Sequence, residues 1–263
     1  MFKNLFFGNW LKSSVSLVLI FIIIWLLASL YLLSQSTTII FQNQVSWAPV
    51  PNFGYSLNFE KGTDGLHRSF IFFEKPSSNQ VILYLHGNTG RINDFFPELT
   101  KNANVLSPAY PGYHESEGSP TQENVYETAV MSYDWLLKKG FKEENITIFG
   151  HSLGGSVAVY LASQKPKAKK LVIANTFSSI QSMCVKQYLI LCSFTGDVFN
   201  SSKYAKEITI PVVQFAYKND LKIPFEEGKK LHTNFVKSSD KKFIEMDKYS
   251  HTYLDFDLIL KNI

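Results

Sequence analysis

Ser152, Asp220 and His251 are the residues of this chain whose types, surroundings and order could do chemistry together. A serine hydroxyl is a poor nucleophile near neutral pH. It becomes a good one when an imidazole takes its proton and a carboxylate holds that imidazole in the right tautomer. Ser152 lies in Gly150-His151-Ser152-Leu153-Gly154, after the β-branched and aromatic run Ile146-Thr147-Ile148-Phe149 and before the small-residue pattern Gly155-Ser156-Val157-Ala158. A strand, a sharp turn and a helix in that order make a nucleophile elbow. Gly150 and Gly154 remove side chains that would collide with neighbouring backbone, and Ser152 then stands at a helix N-terminus. Unpaired amides and the positive end of the helix dipole favour negative charge there. Asp220 follows an expected strand over Pro211–Tyr217, and His251 follows another over Lys242–Met246. Nucleophile, acid and base therefore occur in the order that an elbow of this kind requires.

The competing residues fit less well. Asp197 is the main rival acid, but it falls in the insertion after the preceding strand. His67, His114 and His232 follow no suitable strand, and His151 is expected to pack under the elbow, pointing away from its neighbour Ser152. Acyl transfer also needs N–H donors aimed at the oxyanion of the tetrahedral intermediate. The amide of Leu153 is one candidate. The second comes from His86-Gly87-Asn88-Thr89-Gly90, which follows the apolar run Val81–Leu85. Asn88 is the first choice there and Thr89 the second. No metal-ligand spacing, phosphate-cradling loop or dinucleotide fingerprint is present, so neither a metal nor a cofactor is expected.

Elements that could hold these residues in place are legible. Strands are expected at Tyr55–Glu60, Leu66–Phe73, Val81–Leu85, Asn104–Ala109, Ile146–Phe149, Leu171–Ala174, Pro211–Tyr217 and Lys242–Met246. Between them fall helices near Asn93–Thr100, from Ser119 to about Gly140, over Leu153–Gln164 and over Phe225–Phe235, with a last one after His251. Ser119-Pro120-Thr121-Gln122 reads as the helix start, with Ser119 as N-cap and Gln122 closing a capping box. Short continuous apolar strands alternating with helices predict an α/β domain with a mostly parallel sheet covered on both faces. Hydrophobic residues make up 45% of the 263 and charged residues 18%, which excludes a disordered chain. The net charge of +4 is spread along the chain, and nothing points to nucleic acid. Cys184 and Cys192 could pair in an oxidising compartment or remain as buried thiols.

The N-terminus has a different composition. Residues 15–33 are apolar on every side, and at about 1.5 Å per residue they match the roughly 30 Å of a bilayer core. Lys3 and Lys12 precede this run and no Lys or Arg follows it before Lys61, so positive-inside logic leaves the N-terminus in the cytoplasm. The expected organisation is a cytoplasmic N-terminus at 1–14, a transmembrane signal anchor at 15–33, a juxtamembrane segment at 34–54 and a domain at 55–263 on the non-cytoplasmic side. A cleaved signal peptide ending near Ser34-Gln35-Ser36 is the competing expectation, although its apolar core is ordinarily shorter.

Several further runs accompany the elbow: Leu85-His86-Gly87-Asn88, Tyr110-Pro111-Gly112-Tyr113 with Ser116-Glu117-Gly118, Thr176-Phe177-Ser178-Ser179-Ile180, and Asn219-Asp220-Leu221-Lys222-Ile223-Pro224. With them, from about Ser56 to His251, the chain resembles short-lid, membrane-anchored serine hydrolases of the α/β-hydrolase superfamily, akin to serine aminopeptidases and depalmitoylating thioesterases. The resemblance implies the α/β-hydrolase fold, no cofactor, Ser152 as nucleophile, Asp220 as acid and His251 as base. A small lid is expected at about 178–206, over a shallow acyl site lined by Phe177, Met183 and Leu189. The expected activity is cleavage of carboxylic esters or thioesters, with a small-molecule or lipid-derived acyl substrate or a lipidated protein as partner. An aminopeptidase-like amidase and a catalytically inactive membrane-tethered scaffold are the alternatives.

Overall fold

A computed structural model describes residues 3–34, 40–41, 54–89, 92–183, 198–248 and 250–263. Helix α1 (Lys3–Ser34) comes first and is followed by the domain. The window Ser14–Tyr31 within α1 is long and apolar enough to cross a membrane, and only 6% of it is buried against the rest of the chain. The helix starts well before the apolar run at 15–33, because nothing in Lys3–Ser13 breaks it.

Eight strands form one sheet: β1 (Tyr55–Lys61), β2 (His67–Phe73), β3 (Val81–Leu85), β4 (Asn104–Pro108), β5 (Ile146–His151), β6 (Lys170–Ala174), β7 (Val212–Tyr217) and β8 (Lys241–Met246). They lie in the order β1-β2-β4-β3-β5-β6-β7-β8. β1 and β2 form an antiparallel hairpin, β2 meets β4 antiparallel, and every later pairing is parallel. All residues of β3, β5 and β7 are buried, as largely apolar runs require when helices cover both faces, and the buried side-chain amide of Gln214 in β7 donates to the Gly228 carbonyl. The chain passes from β3 to β4 on one side and later to β5 on the other. The crevice beyond the C-terminal ends of β3 and β5 is therefore a topological switch point, where open α/β sheets place their ligands.

The covering helices are α2 (Phe96–Leu99), α3 (Gln122–Lys138), α4 (Leu153–Gln164), α5 (Ser201–Ala205), α6 (Phe225–His232) and α7 (Phe256–Leu260). α3 buries Val125, Ala129, Tyr133 and Leu136 at the helical spacing seen in the sequence, and the ring of Trp135 meets those of Phe70 and Phe72 at 6.5 and 5.3 Å. Its start differs from the expectation. Thr121 is the N-cap, and Asn124 closes the box by accepting from the Thr121 N–H at 2.7 Å. Gln122 points elsewhere, because its Oε1 accepts from the Phe199 N–H at 2.5 Å, so the helix start is tied to the last part of the lid. α6 ends at His232 rather than Phe235.

α4 is buried along nearly its whole length, and its small residues set how closely it approaches the sheet. A Cβ on Gly154 would strike the carbonyl oxygens of Leu85 and His86, and one on Gly155 would lie 2.5 Å from the Cβ of Thr176. Gly154 lets the N-terminus of α4 meet the loop that leaves β3, and Gly155 lets it meet the segment that leaves β6. Each parallel strand thus delivers a loop to one edge of the sheet: Gly87–Thr89 after β3, Ser152 after β5, Asn175 after β6, Asp220 after β7 and His251 after β8.

Candidate active site

Ser152 occupies the turn between β5 and α4 with φ of 56° and ψ of −123°, a backbone conformation that L-residues rarely adopt. Three bonds hold it there. Its N–H donates to the Ala174 carbonyl at 3.0 Å, and its carbonyl accepts from Gly155 N–H at 2.9 Å and from the Thr176 hydroxyl at 2.8 Å. A Cβ on Gly150 would collide with the carbonyl of Gly154 and the Cβ of Ala158, so both glycines of the pentad are sterically required. The strain points the Ser152 side chain out of the turn toward the loops of β7 and β8.

Asp220, His251 and Ser152 form a continuous hydrogen-bonded chain. Asp220 Oδ2 accepts from His251 Nδ1 at 2.7 Å, and His251 Nε2 lies 3.0 Å from Ser152 Oγ. The other carboxylate oxygen, Oδ1, accepts from the backbone N–H groups of Lys222 and Ile223 at 2.8 and 2.9 Å. The carboxylate is thereby locked, and its free oxygen assigns the proton to Nδ1. The Nε2 lone pair then faces the hydroxyl. All three side chains are buried, so these bonds act with little screening by water.

A second group of residues, which no motif marks, holds His251 by its backbone. His151 Nε2 donates to the His251 carbonyl at 2.7 Å, and Asn175 Nδ2 donates to the same carbonyl at 3.2 Å. Asn175 Oδ1 in turn accepts from Tyr217 N–H at 3.2 Å, joining the ends of β6, β7 and β8. Burial, reinforced by the nearby His251, pushes the His151 pKa down to about 3, so His151 is a neutral donor. His151 is buried as expected, but it does not turn away from the site: it lines the same recess as Ser152 and His251, and there it braces the loop that carries His251.

The loop after β3 is equally fixed. His86 stacks on Tyr110 with ring centroids 4.1 Å apart and has its pKa lowered to about 4 by burial, while its Nδ1 donates to Gly87 carbonyl at 2.7 Å. Tyr110 and Tyr113 hydroxyls donate to the carbonyls of His86 and Asn88 at 3.0 and 2.9 Å. The Asn88 side chain is committed to the carbonyl of Ile40 at 3.0 Å, leaving its backbone amide as the group available to a substrate. Gly87, Asn88 and Thr89 line a recess of about 270 Å³ together with Tyr84, Asp94, Phe95, His151, Ser152, His251 and Thr252. Gly87 comes so close to Ser152 that a Cβ there would sit 3.4 Å from the serine's own.

Of the residues expected to line the acyl site, Phe177 is buried in the core and Met183 is half-buried against it. Neither is among those that line this recess. Leu189 falls outside the described residues, as do Cys184, Cys192, Asp197 and the middle of the lid at 184–197. The root of the lid is described. The Ser178 and Ser182 hydroxyls donate to the buried carboxylate of Glu227 at 2.5 and 2.9 Å. A larger groove of about 520 Å³ lies between Asn79 and Lys139–Asn145, at the far edge of the sheet and away from Ser152. Among the described residues, no group of His, Cys, Asp and Glu could hold a metal.

Residues 80–188 match the α/β-hydrolase-fold family model. The chain is 27% identical over 190 residues to the protein bem46 of Schizosaccharomyces pombe, an alignment that covers 68% of this chain and 63% of that one. It is 31% identical over 190 residues to the lysophosphatidylserine lipase ABHD12 of Danio rerio, covering 61% of this chain and 49% of that one. The chain thus spans less than two thirds of the length of either relative. An esterase of Pyrococcus furiosus superposes with a TM-score of 0.67 over 81% of this chain and 89% of its own, at 18% identity. Sheet order, elbow and these matches place the chain in the α/β-hydrolase fold class.

Proposed function

We propose that this chain is a membrane-anchored serine hydrolase that cleaves carboxylic esters or thioesters through an acyl-enzyme. The observation that carries the reading is the Asp220–His251–Ser152 chain, at 2.7 and 3.0 Å. His251 Nε2 takes the proton of Ser152 Oγ as the oxygen attacks the acyl carbon. The backbone amides of Leu153 and Asn88 bind the resulting oxyanion, a contribution on the order of 10²–10³ in rate for each donor. As the intermediate collapses, the imidazolium returns its proton to the departing alkoxide or thiolate. A water molecule, deprotonated by the same nitrogen, then releases the acid and restores Ser152. The resemblance to a lipase and an esterase supports hydrolysis as the class of reaction. The length and composition of α1 support an anchor, with the N-terminus cytoplasmic and the domain across the membrane.

One observation favours an amidase as the second reading: Asp94 lines the recess, where its carboxylate would meet a substrate ammonium group. Purified full-length protein and Ser152→Ala should be compared on matched acyl series of ester, thioester and aminoacyl amide. The ester reading expects turnover of the first two that is lost in Ser152→Ala. Turnover confined to aminoacyl amides overturns it.

A further inference from the structure

We infer that the rim of the recess rests on the bilayer that holds α1, with Leu221 and Tyr253 entering its interface. The inference builds on the reading of α1 as a membrane anchor.

The first support is the tether. α1 ends at Ser34, and six residues later the Ile40 carbonyl is held by Asn88 Nδ2 at 3.0 Å. Phe41 beside it is buried and meets the ring of Phe199 edge-on at 5.9 Å. Six residues of chain reach no further than roughly 20 Å whatever their path. The end of the anchor therefore lies within that distance of the loop after β3, on the sheet edge that carries Ser152. A bilayer holding α1 is permanently close to this edge, at an effective concentration that a soluble partner would not match.

The second support is the rim itself. Leu221 is 96% exposed and Tyr253 75% exposed. A single exposed apolar residue is ordinary on a soluble surface. These two occupy the β7–α6 and β8–α7 loops, which also carry Asp220 and His251. Exposed Lys222 follows Leu221 directly and exposed Lys248 lies in the same loop as Tyr253, while Lys218 bridges Glu245 and Asp247 at 3.3 and 3.1 Å, offsetting the acids on that side. Leucine, tyrosine and lysine together suit the boundary between acyl chains and headgroups. Val236, 67% exposed, lies in the loop that leads into β8, at the other edge of the sheet, and is the natural control. An acyl substrate with its chain in the bilayer would then reach Ser152 without passing through water.

The test uses the full chain, with Cys184 and Cys192 changed to serine, in phosphatidylcholine vesicles containing some phosphatidylserine. A bimane label is placed in turn at Leu221→Cys, Tyr253→Cys and Val236→Cys, and nitroxide-bearing lipid is the quencher. Retention of the protein in the membrane after carbonate washing reports on the anchor, and fluorophosphonate labelling of Ser152 reports separately on the hydrolase reading. The inference expects quenching at 221 and 253 and none at 236. It also expects Leu221→Asp/Tyr253→Asp to lose roughly tenfold or more of turnover on a long-chain ester embedded in the vesicle, while a short soluble ester is cleaved as before. Carbonate-resistant protein with equal quenching at all three positions overturns the docking. Protein released by carbonate overturns the anchor, and the docking with it.

Discussion

Asp220→Asn isolates the tautomer on which the proposed chemistry depends. In the structure, one carboxylate oxygen of Asp220 accepts from the Lys222 and Ile223 amides at 2.8 and 2.9 Å, and the other accepts from His251 Nδ1 at 2.7 Å. An asparagine has one acceptor and one donor end. The two backbone N–H groups can only be satisfied by its oxygen, so its NH₂ is forced toward His251. Nδ1 must then become the acceptor and Nε2 must carry the proton. The lone pair 3.0 Å from Ser152 Oγ is lost with almost no change in shape. A wrong tautomer of this kind costs on the order of 10⁴ in kcat, equivalent to about 5 kcal/mol of transition-state stabilisation. Steady-state hydrolysis of an activated ester and the rate of fluorophosphonate labelling should both fall by about that factor, with KM and the thermal midpoint little changed. Asp220→Ala leaves the imidazole free to take either tautomer, so it should retain more activity than the asparagine variant while losing more stability. A kcat for Asp220→Asn within about tenfold of the parent protein would refute the tautomer reasoning.

Two more outcomes follow from the bracing residues. His151→Ala removes the 2.7 Å bond to the His251 carbonyl. Because a misplacement of about 1 Å can cost about 10²-fold, kcat should drop roughly ten- to a hundredfold at nearly constant KM, with partial recovery in His151→Gln; unchanged kcat would contradict the brace. His86 and His151 have their pKa values lowered to about 4 and about 3, against about 6.5 when exposed in the unfolded chain. The unfolded state therefore binds the extra protons, and stability falls as pH drops below about 6.5, on the order of 1 kcal/mol per pH unit for each histidine. Urea midpoints taken from about pH 7 down to about pH 5 should decline, with His114 and His232, also lowered by burial, adding to the slope, and His86→Gln should make the decline shallower; an unaltered slope would remove His86 from the account.

How much of this was legible in the sequence depends on whether the determinant is local. The elbow was readable because its strand, its two glycines and its helix are contiguous. Each of the eight strands was found with its ends within a residue or two, since short apolar runs bounded by turn residues leave little choice. Chain order alone suggested which Asp and which His would meet Ser152. The start of α3 went to Thr121 rather than Ser119 because Gln122 is drawn to Phe199, 77 positions away, and a local capping pattern carries no sign of that contact. Asn175 and His151 converge on one carbonyl from the ends of separate strands, so no spacing rule could have singled them out. The wall of the recess has the same origin. Tyr84, Asp94 and Phe95 reach it from β3 and the segment before α2, whereas Phe177 is taken into the core.

The central claim is that Ser152 is a nucleophile activated by His251. The most direct measurement is the intact mass and peptide map of full-length protein after reaction with a fluorophosphonate, beside Ser152→Ala and His251→Ala. The account predicts one phosphonyl adduct, on the peptide containing Ser152, absent from Ser152→Ala and formed orders of magnitude more slowly in His251→Ala. An adduct that persists in Ser152→Ala, or folded wild-type protein that takes up none, would contradict it.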